Sequence, residues 1–392
     1  MVSELQNPLA IPELLDCAIS FVSNPPDLLS CAVVTRAWVN PAQSRLFRAP
    51  QDLDLQCGFA GEQADLLYKT LKINPSLALY VRELRLWALS SGSVAARGWP
   101  ESIDGIEFAN LETLEIELSR RDPEEFRDSY AKLLAQSSLR RLKLDLRRVW
   151  PSPSLIRAFQ RCSPTIQHLE VYCGAEFGDA QDVSMRLPAF APLKSLALKC
   201  WYYADDEDDN SAAPPEGSFN LYPFDLSQVT AFAVRGGNFV PWSIIPTQNI
   251  RVLELWGLIS RGLPAVDLSL LPNLSTLQIS LNTIPPTILT TLRTINSSHR
   301  IRTITIFFDF QLSMHTVRDR DSYITVCRDL DNILSSVPMD PLPAVALGVE
   351  FTHDGELEML FPGMVARNMV RVIPYTGYHG QFLWWKDFTN AL

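Results

Sequence analysis

No stretch of the chain approaches the roughly 20 consecutive apolar residues that a membrane helix needs, which leaves no expectation of a membrane partner. Histidine is scarce: five residues in 392, at His168, His299, His315, His353 and His379. They stand apart, with no H-E-x-x-H and no two at metal-ligand spacing, so a metal centre is not expected. The seven cysteines, Cys17, Cys31, Cys57, Cys162, Cys173, Cys200 and Cys327, are odd in number and form no C-x-x-C pair. That excludes a zinc ribbon or a disulfide framework and fits buried thiols in a reducing compartment. Cys173 and Cys200 lie at repeat ends and read as structural rather than nucleophilic. The chain also lacks G-x-S-x-G, G-x-x-x-x-G-K-[ST] and G-x-G-x-x-G, the usual marks of hydrolase, P-loop and dinucleotide sites. We expect a non-catalytic protein with no cofactor.

Surplus positive charge is missing too. With 34 Lys and Arg against 44 Asp and Glu the formal charge is −10, which argues against general binding to nucleic acid or to an anionic membrane. Met1 to Asn7 carries Glu4 and no Lys or Arg, so no secretory signal is expected and the expected residence is intracellular, cytoplasmic or nuclear.

What is abundant is leucine, about one residue in seven, and its spacing is regular. An apolar x-x-apolar-x-apolar pattern starts at Val81, Leu111, Leu139, Ile166, Leu193, Val229, Ile250, Leu274 and Ile301. The successive intervals are 30, 28, 27, 27, 36, 21, 24 and 27 residues, and a weaker tenth copy falls at Leu342-Val345-Leu347. Such a repeat implies a short strand with alternate side chains buried, stacked on its neighbour in a parallel ladder. Several returns between strands carry helical spacing: Glu62 to Ile73, Pro123 to Gln136 and Arg318 to Ser335. The expected fold class is α/β, a solenoid over residues 49–372.

This pattern resembles the leucine-rich repeat family in degenerate form. The Asn or Cys that the family places after the strand stands here only at Asn282. The widest interval contains the loop 204–218, with five consecutive acids from Asp205 to Asp209, and reads as a solvated projection. The aromatic tail 373–392 reads as a cap for the last repeat.

Residues 8–48 have a different texture. Prolines and polar residues mark three short helical stretches, Pro12 to Ser20, Asp27 to Arg36 and Pro41 to Phe47. So short a unit buries little, so it must dock on the repeats or gain stability from a partner. The string Ile11-Pro12-Glu13-Leu14-Leu15-Asp16, with Ile19 to Val22, Pro26 to Val34, Trp38 and Leu46-Phe47, resembles an F-box. An F-box followed by leucine-rich repeats is similar to the substrate receptors of SCF-type cullin–RING ubiquitin ligases. The resemblance implies a Skp-type adaptor, and through it a cullin, as partners, together with an unidentified protein substrate. It also implies that Pro12, Leu14, Leu15, Leu28, Leu29, Val33, Val34 and Trp38 pack within the motif or against the adaptor. A protein-interaction scaffold without ligase function is the alternative.

In each repeat the residues one and three places after the second apolar position should point away from the leucine core, toward a ligand. The second of these rows reads Trp87, Glu117, Asp145, Tyr172, Lys199, Arg235, Trp256, Ser280 and Phe307. Its aromatics are of the type that anchors interfaces. Trp87, Tyr172, Trp201 and Trp256 are the expected substrate contacts.

Overall fold

The computed structural model describes residues 11–49, 60–87, 105–117, 128–146, 162–174, 192–201, 224–235, 245–256, 265–281, 286–308, 320–337, 341–348 and 355–373. Three helices come first: α1 (Pro12–Ser20), α2 (Pro25–Ala32) and α3 (Arg36–Arg48). The first two start on proline, whose missing N–H costs nothing in an opening turn. α2 ends earlier and α3 begins earlier than the proline positions predict, and Pro41 lies inside α3. Trp38 accounts for this. It packs with Val22, Cys31 and Leu46 on the buried Leu15, Ile19 and Leu28, and that burial holds the turn before Pro41 helical despite one lost backbone hydrogen bond.

The chain divides into two compact units, Met1–His168 with Val183–Ala191 and Leu169–Asp182 with Pro192–Leu392. In the first, the three helices are followed by α4 (Ala60–Ile73), a 3-10 turn (Pro75–Tyr80), β1 (Glu83–Trp87), β2 (Thr113–Glu117), α5 (Asp128–Leu134) and β3 (Arg141–Leu146). α3 packs on the 3-10 turn. Tyr80 Oη donates to Asn40 Oδ1 at 3.3 Å, and the Arg82 N–H donates to the Arg48 carbonyl at 2.9 Å. The helical segment therefore docks on the start of the repeats. β1, β2 and β3 pair in chain order, all parallel.

The second unit takes up the pattern with β4 (His168–Gly174, whose first residue belongs to the first unit), β5 (Ser195–Trp201), β6 (Ala231–Arg235), β7 (Val252–Trp256) and β8 (Thr276–Leu281). α6 (Pro286–Arg293), β9 (Thr303–Phe308), α7 (Arg320–Ser335), β10 (Ala344–Gly348), α8 (Glu356–Leu360), α9 (Pro362–Ala366) and β11 (Val370–Ile373) complete it. From β5 to β11 each strand pairs in parallel with the next. This is a mixed α/β architecture whose strands run in sequence order, as the leucine spacing requires.

Register follows the apolar pattern. Leu196, Phe232, Leu253, Leu277, Ile304 and Val345 stand side by side, and each has no exposed surface. A slip of one residue would turn every one of them to the other face, and each buried side chain of this size is worth roughly 1.5–3 kcal/mol. β11 escaped the pattern because Arg367 occupies the place of the first apolar residue, and its side chains are only partly covered.

Backbone hydrogen bonds fix most of the described strand starts in the same way. The Arg251 carbonyl accepts from both Ser275 N–H (2.8 Å) and Thr276 N–H (3.0 Å). The carbonyls of Arg82, Glu112 and Arg140 do the same in the first unit, and those of Lys194 and Thr230 in the second. A side-chain ladder accompanies it, carried by the residue just before the first apolar position. Asn110 Nδ2 donates to the Leu79 carbonyl (2.8 Å) and Thr165 Oγ1 to that of Ser137 (3.1 Å) in the first unit. In the second unit Asn249 Nδ2 donates to Ser227 (2.8 Å) and Asn273 Nδ2 to Gln248 (2.7 Å). The family's asparagine position lies after the strand, and this ladder lies before it.

The returns are tied by buried polar groups. Thr291 and Thr294, in and just after α6, accept from the N–H groups of Val266 and Leu268, each at 2.8 Å. His299 accepts from the Asn296 N–H through Nδ1 (2.9 Å) while Nε2 faces the Leu268 carbonyl at 2.8 Å. This pairing assigns its proton to Nε2 and a structural role to the ring. Asp331 of α7, 3% exposed, accepts from the N–H groups of Gly363 and Met364, each at 2.8 Å. These are charge-assisted bonds across two elements. We expect Asp331→Ala to destabilise the second unit by about 1–3 kcal/mol, the cost of orphaning buried donors. Faster hydrogen exchange at the Gly363 and Met364 amides, with an earlier urea transition, is the measurement.

Candidate functional site

The eight residues singled out in the helical segment separate into two sets. Leu15 and Leu28 are 2% and 3% exposed and form its core with Ile19, while Trp38 is half-buried against them. Pro12, Leu14, Leu29, Val33 and Val34 lie on the surface. Leu29 and Val34 are 59% and 57% exposed, Val33 is 84% exposed, and Leu14 nearly half. Leu15 and Leu28 are therefore internal to the segment rather than contact residues. The local sequence explains the division: Leu14-Leu15 and Leu28-Leu29 are adjacent pairs on helices, so one of each pair turns inward and its neighbour, about 100° around the axis, turns out.

The outward set is larger than the expected contacts. Ile11 ahead of α1 and Phe21 after it are exposed as well, Phe21 at 82%. Val33 and Val34 follow α2, where their N–H groups close its last turn on Ser30 and Cys31. Singly exposed apolar residues are ordinary, but six within 24 residues of one small segment are a local concentration of exposed apolar side chains.

In the second unit much of the strand face opposite the leucines is covered, unlike the open ligand surface that the repeat pattern predicts. Tyr172 is 4% exposed and Phe307 5%, so both are packed inside the protein. Tyr172 is thereby corrected from a substrate contact to a buried residue. Phe307 lies over Gly348 of the neighbouring strand, where an added Cβ would overlap the ring. Ala197, Ala231 and Ala233 form a small buried cluster with Val252 against it, and Glu254 is 1% exposed. Parallel sheets ordinarily have both faces covered, and these residues are buried on the face opposite the leucines. The side chains of Trp87, Trp201 and Trp256 fall outside the described residues, as do the loop 204–218, Asn282 and the tail 374–392.

In the first unit the strand surface carries charge. Glu115 of β2 is held between Arg85 of β1 (3.0 Å) and Lys143 of β3 (2.8 Å), and Arg82 pairs with Glu112 at the preceding turn. Burial lowers the pKa of the nearby Arg141 guanidinium, with Glu83 and Glu112 opposing the effect and Arg48 adding to it. These are cross-strand pairs that hold register. Among the described residues no group of three His, Cys, Asp or Glu side chains could hold a metal ion, and no helix is long and apolar enough to cross a membrane.

The cysteines divide by place. Cys162 and Cys327 are buried, and burial pushes the Cys162 thiol pKa far up, so it stays protonated and inert. Cys17 is exposed and Cys31 half-buried, a correction to the expectation that all are buried. No protein-family model matches the chain, and no curated sequence matches it.

Two outcomes follow from this packing. Iodoacetamide should alkylate Cys17 in the native protein and reach Cys162 and Cys327 only in denaturant, as read by peptide mass spectrometry. Gly348→Val should force the Phe307 ring from its seat and cost about 1–3 kcal/mol in the second unit, measured by urea unfolding.

Proposed function

We propose that the chain is the substrate-recognition subunit of an SCF-type ubiquitin ligase, with the helical segment an F-box that binds a Skp-type adaptor and the repeats a leucine-rich solenoid that holds a protein substrate. The observation that carries this reading is the exposed apolar set Leu14, Leu29, Val33 and Val34, on or just after helices whose own core is already complete with Leu15, Ile19 and Leu28. These residues contribute nothing to the core of the segment. Their exposure costs hydration, a cost that burial under a partner removes. The docking of α3 on the 3-10 turn supports the same reading, because it orients the apolar surface rigidly with respect to the repeats of the first unit.

The chain would act by proximity. Holding a substrate lysine beside a ubiquitin-charged enzyme replaces a bimolecular encounter with a local one, and the chain itself makes or breaks no bond. Such a role needs two separate binding surfaces and a stiff connection, and no cofactor.

The test uses substitutions of exposed residues, which leave the fold intact. Purified full-length wild type should capture a Skp-type adaptor, and Leu29→Glu/Val34→Glu should lose at least tenfold in affinity, since charges would be desolvated in an apolar interface. Leu28→Ala serves as the contrast. It removes a core side chain, costs about 2–5 kcal/mol of stability, and should reduce adaptor capture only as far as it unfolds the segment. Retention of full adaptor affinity by Leu29→Glu/Val34→Glu would remove the basis for the F-box assignment. Capture of the adaptor without assembly of a cullin complex would instead favour a scaffold.

A further inference from the structure

Seven of the 34 cationic side chains are lysine: Lys69, Lys72, Lys132, Lys143, Lys194, Lys199 and Lys386. A general preference for arginine would scatter them along the chain, whereas six of the seven fall between residues 69 and 199. Residues 200–385, which make up most of the second unit, carry eleven arginines and no lysine. Guanidinium is the side chain of choice where a cation forks onto a carboxylate or stacks on a ring. Arg85 meets such a demand in the first unit, where its Nε donates to Glu115 at 3.0 Å. In the second unit Arg251, Arg293, Arg300, Arg302, Arg328 and Arg371 are exposed, and among the described residues none of them enters an ion pair or a side-chain hydrogen bond.

Nor does the fold exclude an ammonium at such places. Lys143 closes on Glu115 at 2.8 Å across two strands of the first unit. Lys194 stands just ahead of β5 as Arg251 stands ahead of β7 and Arg302 ahead of β9. All three carbonyls accept from the next repeat, from the N–H groups of Thr230 (2.9 Å), Ser275 (2.8 Å) and Ala344 (2.9 Å). One structural position thus takes either cation. Charge does not separate the two side chains, and reactivity does. A lysine can release its proton and expose a primary amine, whereas a guanidinium stays protonated. Beside a ubiquitin thioester the amine attacks the carbonyl carbon. An amide C–N bond forms as the C–S bond breaks, the thiolate leaves with the electron pair, and the amine's proton passes to water. An arginine at the same place offers no nucleophile.

We propose that the use of arginine in place of lysine over residues 200–385 protects the chain from the enzyme it brings close, so that the docked substrate, and not its receptor, supplies the acceptor amine. This rests on the receptor reading for the presence of the ubiquitin-charged enzyme. It adds a property which that reading does not require, survival of the receptor through repeated rounds of transfer. Self-modification of lysine is left to the side chains outside this stretch, of which Lys69, Lys72, Lys132 and Lys194 are exposed.

The experiment compares the full-length wild type with Arg251→Lys/Arg302→Lys/Arg328→Lys, which keeps every charge. Each is mixed with a Skp-type adaptor, cullin, RING subunit, ubiquitin-charging enzymes, ubiquitin and ATP, with no substrate present. The initial rate of ubiquitin attachment to the chain is read from gels, and the modified lysines from tryptic Gly-Gly remnants by mass spectrometry. The variant should carry remnants at the introduced lysines, and its rate should rise at least about threefold, because an amine held in the complex reacts as a local one. Sulfo-NHS acetate should acetylate the same three lysines at an unchanged urea midpoint, which shows the amines open and the fold intact. An unchanged rate, no remnant at any introduced lysine, or introduced amines closed to sulfo-NHS acetate would overturn the proposal. Adaptor capture by the same two proteins separates the failures. Capture with an unchanged rate counts against the protection alone, whereas no capture by the wild type counts against the receptor reading, and the protection falls with it.

Discussion

A parallel strand of five or six residues satisfies neither its own backbone nor its own apolar face, so each repeat of this chain depends on the one stacked against it. Two ladders express that dependence at many of the described strand starts. One is the backbone carbonyl that receives two N–H groups from the next repeat, as Arg251 does from Ser275 and Thr276. The other is the Asn, Ser or Thr side chain just before the strand, which reaches back to a carbonyl of the preceding repeat. Both act within a few residues of one point, which tolerates very different returns: a helix at Pro286–Arg293, a 3-10 turn at Leu268–Leu270, or an irregular segment. The intervals between repeats can therefore range from 21 to 36 residues while the strand register stays fixed.

That separation explains what could be read from the residues. The first apolar position and the two leucine-type positions of the strand carry the burial, so their spacing located ten of the eleven strands among the described residues. β11 was hidden because Arg367 replaces the anchoring apolar residue and Val370 and Val372 are not fully covered. The asparagine ladder was hidden for a different reason: a search of the position after the strand finds only Asn282, whereas the working amides Asn110, Asn249 and Asn273 precede the strand. The opposite strand face was misjudged because alternation says which side a residue points to and says nothing of what lies over it. Tyr172 and Phe307 point away from the leucines as expected and are nonetheless buried, and Gly348 is glycine because the Phe307 ring occupies the space of its side chain.

In the helical segment the residue types were legible and their assignment to inside or outside was not. Leu14 and Leu15, or Leu28 and Leu29, are interchangeable as letters. Which of each pair is buried depends on how three short helices cross, and that crossing is set by Trp38, which joins all of them at one cluster. The same residue overrides the helix break expected at Pro41. An exposed apolar surface on so small a unit would be a liability on its own. Docked on the 3-10 turn through Arg48, Asn40 and Tyr80, the segment has no need of that surface for folding, which leaves it for a partner.

Net charge takes a local meaning from the same geometry. Five of the acids that make up the −10 are Asp205 to Asp209, without which the balance is −10 + 5 = −5. Elsewhere the strand surfaces sort their charges by row. In the first unit Arg85, Glu115 and Lys143 alternate across β1 to β3 and close on one another within 3.0 Å, so little field remains. In the second unit the strand-start row alternates cations with hydroxyls instead, and among the described residues Lys194, Arg251 and Arg302 enter no ion pair. The charges that hold register are therefore those of the first unit, where one row sets acid against base on neighbouring strands and a single charge reversal would put like charges side by side.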